Sequence, residues 1–344
     1  MPSRYGATPD ELAELLADQP PYRARQAWDG LYRRALEPEA MTDLPAAVRR
    51  RLAEALPLAL QPAAESVGDG GDTVKWLWRL GDGALVESVL MHYRDRSTVC
   101  ISSQAGCAMA CSFCATGQAG FERHLDRGEM VEQVVRAVQA ARPRRLSNVV
   151  FMGMGEPLAN YDRVWEAVVR LHDHLGLSAR HLTISTVGVV PGIRRLAAES
   201  VPVNLAVSLH AANDRQRDDL VPLNRRYPLD VLMAACADYL EATGRRLSFE
   251  WALIAGVNDR MVDAAELAER ARPLGAHVNL IPLNPTPGYA TPGTPPAEVR
   301  AFRDRLRRLG VNATVRENRG TAIDAACGQL RANHEVALPL PTRG

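Results

Sequence analysis

The chain has 344 residues, 47% apolar and 24% charged, enough apolar mass for a large core and far from a disordered or fibrous composition. Its 41 basic residues nearly balance 40 acidic ones, for a net charge of +1, so a nucleic-acid partner must be met by a local patch rather than by bulk charge. Lys75 is the single lysine; without a Gly-Lys-Ser/Thr loop or a lysine suited to a Schiff base, phosphate-loop and pyridoxal-phosphate chemistries drop out.

Charges at Arg4, Asp10, Glu11, Glu14 and Asp18 break up the first twenty residues, and no eighteen residues run apolar without interruption. Neither a secretory signal nor a membrane span is expected, and the cytoplasm is the expected compartment. Apolar spacing predicts helices over 10–18, 22–36 and 44–56, the third with Asp43 as N-cap and Pro45 in its first turn. Residues 68–71 read as a turn. Alternating runs at 74–78 and 84–91 then predict a hairpin turning at Gly81-Asp82-Gly83. The expected organisation is a helical accessory domain over 1–65 and a β-hairpin extension over 66–96.

From residue 97 the texture changes. Strands are predicted at 98–102, 147–152, 181–186, 203–209, 247–254 and 277–283, alternating with helices at 129–141, 161–175, 192–200, 229–242, 262–271 and 297–309. Six strand-then-helix units in order predict an α/β fold with a parallel sheet and right-handed crossovers. Six are too few to close an eightfold barrel, so an open, partial (β/α)6 TIM-like barrel is expected over 97–330. Residues 284–296, with five prolines, read as a long loop, and 331–344 as a tail; there is no internal repeat.

Six cysteines stand at positions 100, 107, 111, 114, 236 and 327. In a reducing compartment they indicate metal or redox chemistry before structural disulfides. Cys107-Ala-Met-Ala-Cys111-Ser-Phe-Cys114 follows the first barrel strand. Three thiolates on one tight loop can hold three irons of a [4Fe-4S] cluster and leave the fourth iron open to a cofactor. The alternative on spacing alone is zinc, with His124 or Cys100 as fourth ligand. Cys236, on an amphipathic helix without a motif, reads as a small core hydrophobe.

That spacing, on a loop after the first strand of a partial barrel, resembles the radical S-adenosylmethionine (SAM) superfamily. Further motifs narrow the resemblance: Cys100-Ile-Ser-Ser-Gln-Ala-Gly-Cys107, Cys114-Ala-Thr-Gly, Phe151-Met-Gly-Met-Gly-Glu-Pro-Leu158 and Ile184-Ser-Thr-Val-Gly-Val-Val-Pro191. With them go Ser208-Leu-His210, Gly256-Val-Asn-Asp259, Asn279-Leu-Ile-Pro-Leu-Asn284 and Ala325-Ala-Cys-Gly-Gln-Leu330. Together, from about Tyr22 to Leu330, they resemble the RlmN family, which methylates carbon 2 of an adenine in 23S rRNA and, in some members, an adenine beside the tRNA anticodon.

Carbon 2 of adenine is electron-poor, so a methyl cation equivalent cannot simply be transferred to it, whereas a carbon radical can add there. The resemblance implies that Cys107, Cys111 and Cys114 hold the cluster and that one SAM methylates Cys327. A second SAM, cleaved at the reduced cluster, gives a 5′-deoxyadenosyl radical that takes a hydrogen from this methyl. The sulfur-bound methylene then adds to the adenine, and Cys100 resolves the crosslink through a transient disulfide with Cys327. Glu87 is implied as the proton acceptor. Gly155 and Glu156 are implied at the SAM amino group, Ser185, Ser208, Leu209, His210 and Asn284 at its carboxylate, ribose and adenine, and Phe113 beside that adenine. An external electron donor such as a flavodoxin system is implied as well. One departure is Ala322, where the family usually has aspartate.

Arg23, Arg25, Arg33, Arg34, Arg49, Arg50 and Arg51, interleaved with Tyr22, Trp28 and Tyr32, are expected to meet the RNA. The family's Y-R-x-x-Q pattern stands here as Tyr22-Arg-Ala-Arg-Gln26. Two alternatives remain: the sister family that methylates carbon 8, which tends to differ at Pro157 and Pro282, and a non-catalytic, zinc-stabilised RNA-binding protein.

Overall fold

The computed structural model describes residues 2–286, 288–316 and 319–330; the expected tail at 331–344 lies outside them. Three short helices come first: α1 (Pro9–Leu15), α2 (Tyr22–Leu31) and α3 (Ala46–Ala55). Thr8 and Glu11 close a reciprocal capping box on α1. Helix α2 stops at Leu31, short of the expected end, and Ala35 takes a left-handed turn at φ 45°. Asp43 does not cap α3. Pro45 occupies the cap, and Asp43 instead accepts Arg34 at 2.9 Å.

A meander of β1 (Gln61–Gly68), β2 (Thr73–Arg79) and β3 (Leu85–His92) follows, with β2 and β3 in the predicted hairpin. Strand β1 was not legible in Gln-Pro-Ala-Ala-Glu-Ser-Val-Gly, which has little β propensity, and it crosses residue 65, where only helices were expected. On its other edge β3 pairs antiparallel with β4 (Ser97–Cys100), the first barrel strand. Here a two-stranded ribbon, β5 (Gln104–Gly106) and β6 (Phe121–His124), leaves the sheet and encloses the short helix α4 (Ala115–Ala119).

The chain then alternates α5 (Arg127–Ala141), β7 (Leu146–Phe151), α6 (Tyr161–Asp173), β8 (Leu182–Thr186), α7 (Val190–Ala197) and β9 (Asn204–Ser208). It continues through α8 (Asp214–Leu220), α9 (Leu229–Thr243), β10 (Leu247–Leu253), α10 (Met261–Ala271), β11 (His277–Pro282), α11 (Pro296–Arg308) and β12 (Ala313–Val315). Strands β4 and β7 to β12 run parallel in chain order, with β1 and β12 at the two edges of one ten-stranded sheet. This is the expected open α/β barrel with one parallel strand more than expected; β12 is too short to stand out by pattern. Strand β10 is buried along its whole length, as a strand covered on both faces must be. Cys236 on α9 is fully buried in the core, as expected. Among the described residues no helix is long and apolar enough to cross a membrane.

The N-terminal helices are fastened to the barrel through Arg170 of α6. Its Nη1 donates to the Ala7 carbonyl and the Tyr32 hydroxyl, both at 2.8 Å, and its guanidinium lies 4.8 Å from the Trp28 ring centroid. Tyr32, tilted against Trp28 at 4.5 Å, is fully buried and so is not available to stack on RNA, whereas Trp28 is half-buried against it. Several of the arginines expected to face RNA are engaged locally: Arg23 with the Asp43 carbonyl, Arg34 with Asp43, Arg49 with the Glu39 carbonyl and Arg51 with Asp18. Replacing Arg170 by Met removes both hydrogen bonds and leaves buried partners unsatisfied, at a cost of about 2–4 kcal/mol. The expected outcome is a lower Tm together with faster amide exchange in residues 5–32; unchanged exchange there would show that another contact holds this region.

Candidate active site

The C-terminal ends of the parallel strands surround a cavity of about 190 Å³, the end where strand-to-helix loops converge in barrel folds. The cysteine loop reaches it on the β5–β6 ribbon. The Cys107 N–H donates to the Gly120 carbonyl at 2.6 Å and the Cys114 N–H to the Cys111 carbonyl at 3.2 Å. That folds the loop tightly and sets Cys107, Cys111 and Cys114 along the cavity wall. Burial pushes the Cys107 thiol up to about 12 and holds Cys111 well above its usual range, with repulsion from neighbouring sulfurs adding to both. Among the described residues no three His, Cys, Asp or Glu side chains lie close enough together to hold a single metal ion. The donor set fits a cluster instead: three thiols spread along one wall, needing the positive charge that iron brings to a thiolate. His124, the other zinc ligand considered, contacts Gln104 at 3.0 Å and does not line the cavity.

Strand β7 runs into Met152-Gly153-Met154-Gly155-Glu156. Gly155 takes φ +102°, and a Cβ there would sit 2.6 Å from the Gln104 side chain, so the bend accepts only glycine. The bend brings the Glu156 N–H to Gln104 Oε1 at 2.8 Å and buries the carboxylate, whose oxygens accept the N–H groups of Leu158 at 3.0 Å and Val187 at 2.9 Å. Burial pushes Glu156 up to about 7 against those hydrogen bonds. Both of those donors are neutral backbone groups, and the carboxylate lines the cavity. A ligand ammonium would supply the missing charge.

Ser185 of β8, Ser208 at the end of β9 and His210 line the same cavity. His210 sits at φ 58°, and its Nδ1 accepts the Ala252 N–H at 3.0 Å, which leaves the hydrogen on Nε2. Burial holds this histidine neutral, down to about 3. Phe113 meets its ring edge-to-face at 4.7 Å. Leu209 lies elsewhere: its side chain is in the core, and its backbone bonds to Glu250 and to buried Arg217. Arg217, which the sequence reading did not single out, also donates to the carbonyls of Val187 and Ser208 and so ties the ends of β8 and β9 together.

The segment carrying Cys327 crosses the cavity. Asn284 Nδ2 donates to the Cys327 carbonyl at 3.1 Å, Ala115 N–H to the Gly328 carbonyl at 2.8 Å and the Thr116 hydroxyl to the Leu330 carbonyl at 2.5 Å. Cys327 is an exposed free thiol lining the cavity, and Cys100, buried at the end of β4, lines it too. Burial pushes Cys100 up to about 12, with the Cys327 sulfur as a further cause. Arg316, which follows β12 and was not foreseen, has its charge favoured mainly by the Cys327 sulfur and also by Glu250, 3.6 Å away. Glu87 does not line the cavity. It is buried on β3 and paired with Lys75 at 3.1 Å. Ala322 is exposed on the turn before Cys327.

Residues 101–268 match the radical SAM superfamily. The chain is 54% identical to the probable dual-specificity RNA methyltransferase RlmN of Salinispora tropica over 91% of this chain and 88% of that one. It is 51% identical to the protein of the same description from Chloroflexus aurantiacus, over 97% and 94%. A crystal structure of a radical SAM methyltransferase from Sphaerobacter thermophilus superposes with a TM-score of 0.93 at 51% identity, covering 97% of this chain and all of that one. With the three thiols of one loop, a buried carboxylate and two further thiols on one cavity at the mouth of an open barrel, and with these relatives, this chain belongs to the RlmN family of radical SAM RNA methyltransferases.

Proposed function

We propose that the protein methylates carbon 2 of an adenine in 23S rRNA, and of the adenine beside the tRNA anticodon, with Cys327 as carrier of the methyl carbon. The observation that carries this reading is that an exposed thiol, Cys327, and a second thiol, Cys100, share one cavity with the three-cysteine loop. Direct transfer of a methyl group to a nucleophile needs none of these sulfurs. When bound, the cluster and SAM supply the methyl group and the one-electron chemistry that an electron-poor carbon requires.

Cys107, Cys111 and Cys114 would hold the cluster. Glu156 would take the SAM ammonium, and Ser185, Ser208 and His210 would orient the rest of the molecule against Phe113. Asn284 positions Cys327 through its backbone carbonyl. Glu87 accepts the proton lost from carbon 2. The Cys100 thiolate then attacks the Cys327 sulfur, and the sulfur–carbon bond breaks with its electron pair passing to the methylene carbon. That carbon takes up a proton to become the methyl group, and a Cys100–Cys327 disulfide is left for thiol exchange to reduce. A cytoplasmic electron donor of the flavodoxin class completes the cycle. In this reading residues 1–65 form an RNA-binding accessory domain, meeting the substrate through exposed Tyr22, Arg25 and Arg50, and residues 66–96 extend the barrel over 97–330. Carbon 8 as the modified position, or a colourless zinc protein without iron and sulfide, would overturn the assignment.

Two outcomes are expected. Glu156 must be ionised to pair with an ammonium, and in the free protein it is half protonated near pH 7. SAM affinity of the cluster-loaded protein should therefore rise roughly five- to tenfold from pH 6 to pH 8. Calorimetry on Glu156→Gln should show weaker binding without that rise; an unchanged pH dependence would remove Glu156 from the SAM site. Second, Cys100→Ala should purify with RNA covalently attached to Cys327, whereas Cys327→Ala and the double variant should be free of it. Nuclease digestion and mass spectrometry decide this: a fully active, RNA-free Cys100→Ala protein rules out the resolving role.

A further inference from the structure

The antiparallel extension holds the segment that carries Cys327. The Gly320 N–H donates to Asp69 Oδ2 at 2.8 Å, and the same carboxylate oxygen accepts the Thr73 hydroxyl at 2.5 Å. Arg319 Nη1 donates to the His92 carbonyl at 2.9 Å. Lys75 of β2 lies in the same contact, with 11% of its side chain exposed. Its Nζ donates to the Asp324 carbonyl at 3.3 Å and stands 3.1 Å from Glu87 Oε1. Asp324 is held at φ 51°, three residues before Cys327. One ammonium thus touches both the proton acceptor of the proposed reaction and the backbone that presents the carrier thiol.

The residue type matters. Every other cationic side chain in the sequence, apart from histidine, is arginine. An ammonium directs three hydrogens from one nitrogen and can meet a carboxylate and a carbonyl together. A guanidinium is a wider, planar group whose donors are fixed in one plane, so it does not occupy the same space or present its hydrogens in the same directions.

We propose that Lys75 is a positioning residue for proton removal, fixing Glu87 relative to the Cys327 segment so that the crosslinked intermediate is resolved. The inference rests on the thiol-carrier reading above. Lys75→Gln keeps an N–H for Asp324 but loses the charge; Lys75→Arg keeps the charge but not the geometry. In cluster-loaded protein, three quantities are followed: S-methylation of Cys327, RNA attached to Cys327 after nuclease digestion, and the rate of 2-methyladenosine formation. Both variants are expected to keep wild-type Cys327 methylation, to turn over at least tenfold more slowly and to carry several times more attached RNA.

Wild-type turnover in Lys75→Gln and Lys75→Arg overturns the proposal. So does a parallel loss of Cys327 methylation and turnover without attached RNA, since that shows support of the fold alone. Cys100→Ala serves as the control. If it carries no RNA, the thiol-carrier reading fails and this inference with it; if it does carry RNA, a negative result at Lys75 counts against Lys75 only.

Discussion

In the proposed reaction a carrier thiol is useful only if its segment is held across the cavity while the sulfur stays free to react. Here the restraint acts on the backbone. Carbonyls of Asp324, Cys327, Gly328 and Leu330 accept hydrogen bonds from Lys75, Asn284, Ala115 and Thr116. Those donors come from the antiparallel extension, the loop after β11 and the cysteine loop with its short helix. The Cys327 segment therefore links three regions that are remote in sequence, and the cavity has its shape because they meet there. Hydrogen bonds to carbonyls fix the path of the chain without consuming the side chains that the chemistry needs.

The same cavity gathers groups that are costly to bury. Glu156, Cys107 and Cys111 are shifted toward their neutral forms by desolvation, and His210 is held uncharged for the same reason. The carboxylate and the thiols would lose that penalty on meeting the right partner, an ammonium for Glu156 or a metal-bound state for Cys107 and Cys111. Binding of such partners would therefore stabilise the fold. Arg217 shows the opposite case: it is almost fully buried and spends its donors on strand-end carbonyls and Asn224, so its charge serves the scaffold.

The sequence by itself determined much of this. Hydrophobic periodicity located the six main barrel strands and their helices, because period and length are local properties. The spacing of Cys107, Cys111 and Cys114, the Gly-Met-Gly-Glu156 bend and the hairpin at Gly81-Asp82-Gly83 were legible for the same reason. Tertiary structure decided what pairs with what. Lys75 and Asp324 are 249 positions apart, and nothing in either neighbourhood announces the contact. Tyr32 looked suited to RNA because an aromatic beside arginines reads alike at a surface and in a core; Arg170, brought over it by α6, buries it. Strands β1 and β12 exist because neighbouring edges satisfy their backbone groups, a stabilisation that side-chain pattern does not encode. Local pattern thus names the elements and the chemistry-bearing residues, whereas long-range hydrogen bonds and burial decide which of them share a cavity.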